Sequence, residues 1–162
     1  MKSRAAIGDH PIHPMLVAVP IGAFVLALIG DIATSVTQDQ LWYQFSVVCI
    51  GVGILSALLA ALFGFIDYFT VKMSAAGAKL ATTHMVLNLC AVVLYIVSFF
   101  LRVNDAAFQS RHWAPAFGLE ILALIVLGAA GWLGGQMTFI HKVGVVETAD
   151  EEATEIGKHQ AA

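Results

Sequence analysis

Charge is scarce in this sequence. Only 12% of its 162 residues are Asp, Glu, Lys or Arg, about half the roughly 25% of an average soluble domain. With 59% hydrophobic residues and a mean hydropathy of +0.85, the chain lacks the polar surface that a water-soluble fold must present. Basic residues are fewer than acidic ones, 8 against 11. That excludes a nucleic-acid partner, which requires a basic patch or stripe. Cysteine is nearly absent: Cys49 and Cys90 fall inside apolar runs and are expected to be small buried hydrophobes rather than disulfide partners. There is no Gly-x-Ser-x-Gly nucleophile motif, so a hydrolase is disfavoured. No internal repeat, second domain or low-complexity tract is evident.

What the sequence does have is long apolar runs. Spanning the hydrocarbon of a bilayer takes about 20 apolar residues in a helix, and four runs qualify, at about 14–36, 45–67, 80–102 and 116–141. Lys2 and Arg4 imitate the start of a secretory leader. Asp9, His10, Pro11, His13 and Pro14 interrupt the approach to the apolar core, so the first run is expected to be a retained helix. Pro14 suits a first helical position, and Pro20 predicts a bend one turn further on. The connections are short, which makes neighbouring helices antiparallel. The fold expected is therefore an all-α integral membrane four-helix bundle, up-down-up-down, over residues 1–146. An acidic, disordered tail is expected at 147–162.

Lys and Arg set the orientation. Lys2, Arg4, Lys72, Lys79, Lys142 and Lys158 lie on the side of the termini, and only Arg102 and Arg111 on the other. Both termini are thus expected in the cytoplasm, in a multi-pass protein of a bacterial-type inner membrane. Trp42, Tyr43 and Trp113 then mark the outer interface.

On that topology the histidines converge. His10 and His13 precede the first helix, Asp67 ends the second, and His141 ends the fourth. His84 lies about one turn into the third, roughly 6 Å from its start at 1.5 Å per residue. Helical stepping gives a polar or small-residue stripe on every helix. These are His13–Val17–Pro20–Phe24–Ala27–Asp31–Thr34, Ser46–Ile50–Gly53–Ala57–Ala60–Gly64–Asp67, His84–Asn88–Ala91–Tyr95–Ser98–Arg102, and Glu120–Leu124–Leu127–Gly131–Gly134–Thr138–His141. Such faces turn inward in a membrane bundle, where backbones approach and polar groups avoid lipid. A second set lies toward the other end: Asp31, Arg102 and Glu120, with Arg111 and His112 in the loop. A buried carboxylate there needs Arg102 as partner, and a structural ion pair from the third helix to the first or fourth is expected.

The segment Asp9-His10-Pro11-Ile12-His13-Pro14-Met15-Leu16-Val17, followed by Pro20-Ile21-Gly22, resembles the opening of the uncharacterised membrane family called domain of unknown function 2231. Phe63-Gly64-Phe65-Ile66-Asp67-Tyr68, His84 with Asn88, Arg102, and Trp132-Leu133-Gly134-Gly135 leading to His141 and Gly144-Val145 agree in order and spacing. At 138–142 the chain reads Thr-Phe-Ile-His-Lys, where the family more often has a basic residue followed by His-Gly. The resemblance implies a four-helix membrane fold. Relatives joined to Rieske-type iron–sulfur modules imply redox chemistry.

Three readings follow. In the first, His10, His13, Asp67, His84 and His141 hold a transition-metal ion, or His84 and His141 ligate haem b, with Asn88 bonded to a ligand. Neutral imidazole suits both, and four-helix bundles carry such sites on facing helices. An electron-transfer role with a redox partner protein would follow. In the second, the histidines are interfacial and the protein is a structural subunit. In the third, the stripe from His84 through Tyr95 and Ser98 to Arg102 carries protons or a solute. Gly51, Gly53 and Gly128 offer faces for a homo-oligomer.

Overall fold

The computed structural model describes residues 3–8, 10–103, 112–141 and 143. The acidic tail, Lys2, Asp9, Arg111, Lys142 and the Gly144-Val145 pair lie outside the described residues.

The chain starts with an arm in which β1 (Ala6–Ile7) pairs antiparallel with β2 (His10–Pro11). Gly8 at the turn has φ 62°, a left-handed value that glycine adopts without steric cost. The arm folds back over the bundle: Ser3 is buried and its Oγ donates to Asp67 Oδ1 at 2.5 Å.

Five helices follow, making four apolar spans. The first span consists of α1 (Ile12–Leu16) and α2 (Ala18–Thr37), which meet at Val17. Pro20 has no N–H to give to the Leu16 carbonyl, and α1 ends at that residue, which is the bend expected from the sequence. The others are α3 (Gln40–Thr70), α4 (Ala75–Val103) and α5 (Trp113–Phe139). Both α3 and α4 are longer than their apolar runs, because caps rather than hydropathy fix their starts. Gln38 closes α2 with a left-handed φ of 58°, and its N–H bonds the Thr34 carbonyl. Asp39 then accepts from the Leu41 N–H as the cap of α3, an acceptor for an otherwise orphaned donor. Ser74 Oγ accepts from the Gly77 N–H at the start of α4.

The outer surface is apolar. Leu55, Trp132 and Phe69 are among the large side chains exposed on it, an arrangement stable only against lipid. With four spans of hydropathy 2.0–2.5, the chain is a multi-pass integral membrane protein.

The inward stripes of α2, α3 and α4 follow the sequence reading. Phe24, Ala27, Asp31 and Thr34 are buried on α2, Ser46, Ile50, Gly53 and Ala60 on α3, and Ala91, Tyr95, Ser98 and Arg102 on α4. On α5 the stripe differs. Ala116, Glu120, Ala123 and Ala130 are buried, whereas Gly131, Thr138 and His141 are exposed. The inward face shares Glu120, Leu127 and Gly134 with the expected stripe but takes Ala123 and Ala130 in place of Leu124 and Gly131, and it does not extend to Thr138 and His141. Cys49 is buried as expected, but Cys90 faces outward; both are free.

The helices pack as two tight hairpins, α1/α2 with α3 and α4 with α5, which touch each other far less. The two hairpins are built alike, a repeat that the amino-acid sequence does not announce. In the first, the imidazole of His13 bonds the Ala60 carbonyl; in the second, that of His84 bonds the Ala130 carbonyl. Gly64 stands beside the His13 ring and Gly134 beside the His84 ring. Positions 71 residues apart on the first and third spans also meet across the centre. Phe24 stacks on Tyr95, and Asp31 bonds Arg102. The contacts of the two hairpins thus recur at matching intervals along the chain.

Candidate functional site

Polar groups collect at two levels of the bundle. At the end nearer the termini are His13 and His84. His13, half-buried in the first turn of α1, places Nδ1 2.8 Å from the Ala60 carbonyl oxygen. His84, nine residues into α4 and so about 14 Å from its start, places Nδ1 2.7 Å from the Ala130 carbonyl oxygen. A carbonyl only accepts, so each Nδ1 carries its proton and each Nε2 keeps a lone pair. That tautomer is the one a metal-ligating imidazole adopts when a carbonyl orients it from behind. Glycine makes both contacts possible: a Cβ at Gly64 would lie 3.0 Å from His13 Cε1, and one at Gly134 would lie 3.1 Å from His84 Cε1. Asn88, one turn along α4, donates from Nδ2 to the His84 carbonyl at 2.8 Å and approaches His84 Nε2 at 3.2 Å.

The other residues marked in the sequence lie apart from this pair. His10 is exposed on β2, and His141 is exposed beyond the end of α5. His141 follows Gly134, the residue at the His84 ring, by two turns, roughly 10 Å along a helix. Asp67 is bonded to Ser3. Among the described residues no group of three or more His, Cys, Asp or Glu could hold a metal ion.

At the other level Arg102 ties all four spans together. Its Nε donates to Ser98 Oγ on its own helix at 3.2 Å. Nη1 donates to Asp31 Oδ1 on α2 at 2.8 Å and to Ser46 Oγ on α3 at 3.2 Å. Nη2 donates to Glu120 Oε2 on α5 at 2.8 Å. The Arg102 carbonyl accepts from Tyr43 Oη at 3.1 Å, and Ser98 Oγ donates to the Ala116 carbonyl at 2.8 Å. The arginine therefore reaches the first and the fourth spans together, where the sequence suggested one or the other. Tyr43, read as an interfacial ring, is instead buried. Two of the glycines considered for a dimer face are used inside the bundle: Gly51 lies against Phe99 and Gly53 against the Phe24 ring.

Two helical hairpins, apolar outside, with two carbonyl-anchored histidines toward one end and a buried ionic cluster toward the other, define a polytopic four-span membrane protein. The chain belongs to the DUF2231 family of predicted membrane proteins, whose family model matches residues 9–147. No curated protein and no solved structure matches it.

Proposed function

We propose that this protein is a membrane electron carrier that binds haem b between His13 and His84. The carrying observation is the matched anchoring of the two rings, each held by Nδ1 on a carbonyl of its own hairpin, with Nε2 free of any backbone bond. Haem suits two ligands better than a bare ion does. A porphyrin supplies four in-plane nitrogens and asks the protein for axial ligands alone, whereas a tetrahedral zinc or copper site needs more donors than this level offers. The weak contact between hairpins supports a group seated between them; for His84 to ligate it, Asn88 Nδ2 would give up Nε2, which it approaches at 3.2 Å, and keep its bond to the His84 carbonyl. Haem iron would supply one-electron redox chemistry; the chain's residues would fix ring orientation and exclude water. The excess of Lys and Arg on the side of the termini supports a site facing the cytoplasm of a bacterial-type cell, with a soluble or membrane-bound redox partner there.

The test is an absorption spectrum of detergent-purified protein from haem-replete cells, as isolated and after dithionite, with metal analysis of the same sample. A Soret band with reduced α and β bands is expected, lost in His13→Ala and in His84→Ala and retained in His141→Ala. A flat spectrum with stoichiometric metal would replace haem by a bare ion. A flat spectrum without metal would leave a carrier or a structural subunit.

A further inference from the structure

The ionic level at Arg102 has one cation for two carboxylates. Asp31, Glu120 and Arg102 are each 0–1% exposed, and among the described residues no further charge pairs with them. One acceptor atom lacks a donor: Glu120 Oε1 accepts no hydrogen bond, whereas Asp31 Oδ2 is held by Arg102 Nη2 at 2.5 Å. The two carboxyl groups converge on one nitrogen: Arg102 Nη2 lies 2.5 Å from Asp31 Oδ2 and 2.8 Å from Glu120 Oε2. The titratable groups facing them from the packed helices are Arg102 and Tyr95 on α4 and Cys49 on α3.

Two full negative charges in contact, matched by one guanidinium and shielded from water, leave a net charge that hydrocarbon does not tolerate. One bound proton removes the excess and supplies a donor at the orphaned Glu120 Oε1 or its neighbour. We propose that Asp31 and Glu120 form a proton-binding site: one proton from water joins a carboxylate oxygen of the pair and is shared between them, while Arg102 neutralises the remaining charge. A cleft of about 430 Å³ between α3 and α4, lined by Tyr43, Gln44, Val47, Val48, Arg102 and Val103, opens next to the cluster. The site is independent of any cofactor at His13 and His84.

Infrared spectroscopy of the full-length protein in liposomes at neutral pH, where exposed carboxyls are ionised, tests this directly. One carboxylic-acid C=O band per chain is expected, and it should shift on transfer of the folded protein to D2O. The band should vanish in Glu120→Gln and equally in Asp31→Asn, because one carboxylate facing one arginine needs no proton. Glu120→Gln should remain folded, since an amide can donate to Asp31 as the shared acid does; circular dichroism on the same samples checks this. Absence of the acid band in the folded parent overturns the proposal. So does a band that survives either substitution, or one that shifts in D2O only after unfolding.

Discussion

Phe24 lies flat on Tyr95, with ring centroids 3.6 Å apart and planes 6° from parallel. The stack joins the two hairpins midway between the imidazole level and the ionic level. Phe24 is 1% exposed, and its ring occupies the space that a side chain at Gly53 would need. Phe24→Ala removes the contact and opens a cavity, a change that costs about 3–5 kcal/mol in well-packed cores. Tyr95→Phe should be neutral or slightly stabilising, because the buried Tyr95 hydroxyl has no hydrogen-bond partner and its removal relieves an unsatisfied group. Thermal unfolding in a mild detergent separates the two.

Arg102→Leu should be far more damaging than its size suggests. It leaves Asp31 and Glu120 facing each other in a water-free interior, and breaking a buried pair from one side costs about 3–5 kcal/mol. Lysine should not rescue the fold. An ammonium is a compact point charge, and it cannot bridge Asp31, Ser46, Ser98 and Glu120 as the planar fork does. Folded yield and unfolding midpoint of Arg102→Leu and Arg102→Lys are the measurements, with Lys closer to Leu than to the parent.

The glycines divide into those the packing needs and those it does not. Gly53→Ala drives a methyl group into the Phe24 ring, and such overpacking costs typically 1–3 kcal/mol. A methyl at Gly128 would meet nothing within 4 Å. Gly128→Ala should therefore leave the unfolding midpoint of the monomer unchanged or raise it, since Ala is favoured over Gly in a helix interior by about 1 kcal/mol. A drop in dimer content for this variant alone would show that Gly128 serves an interface between copies.

Gly64→Ala and Gly134→Ala probe the imidazoles without removing them. Each new methyl group would sit 3.0–3.1 Å from a ring carbon, close enough to turn the ring off its carbonyl anchor. If His13 and His84 are axial ligands, both substitutions should lower haem content by similar factors, since the two cradles are alike. Pyridine haemochrome assay of purified variants gives the ratio; a large effect at one glycine and none at the other would contradict equivalent ligands.

Much of this was legible in the sequence because a bilayer punishes error. Asp31, Arg102 and Glu120 are charges set within apolar stretches, so their pairing could be expected from residue type alone. The inward stripes of the first three spans were legible for the same reason. Span lengths were less so, because Asp39 and Ser74 start their helices by local hydrogen bonds to which hydropathy is blind. The sequence grouped His13 and His84 with His10, Asp67 and His141 but did not reveal their carbonyl anchors, which depend on how the helices dock; on α5 a choice between steps of three and four displaced the expected face toward His141. The duplication was missed because it preserves spacing rather than identity. His13, Phe24 and Asp31 match His84, Tyr95 and Arg102 in interval, yet only the histidine is the same residue.

That last mismatch has a consequence for how the chain finds its own partner. Were two first hairpins to meet as the first meets the second, Asp31 would confront Asp31; two second hairpins would set Arg102 against Arg102. Like charges forced together at an interface cost several kcal/mol, more where water is absent. Opposite charge at equivalent positions therefore lets each half tell its complement from its twin.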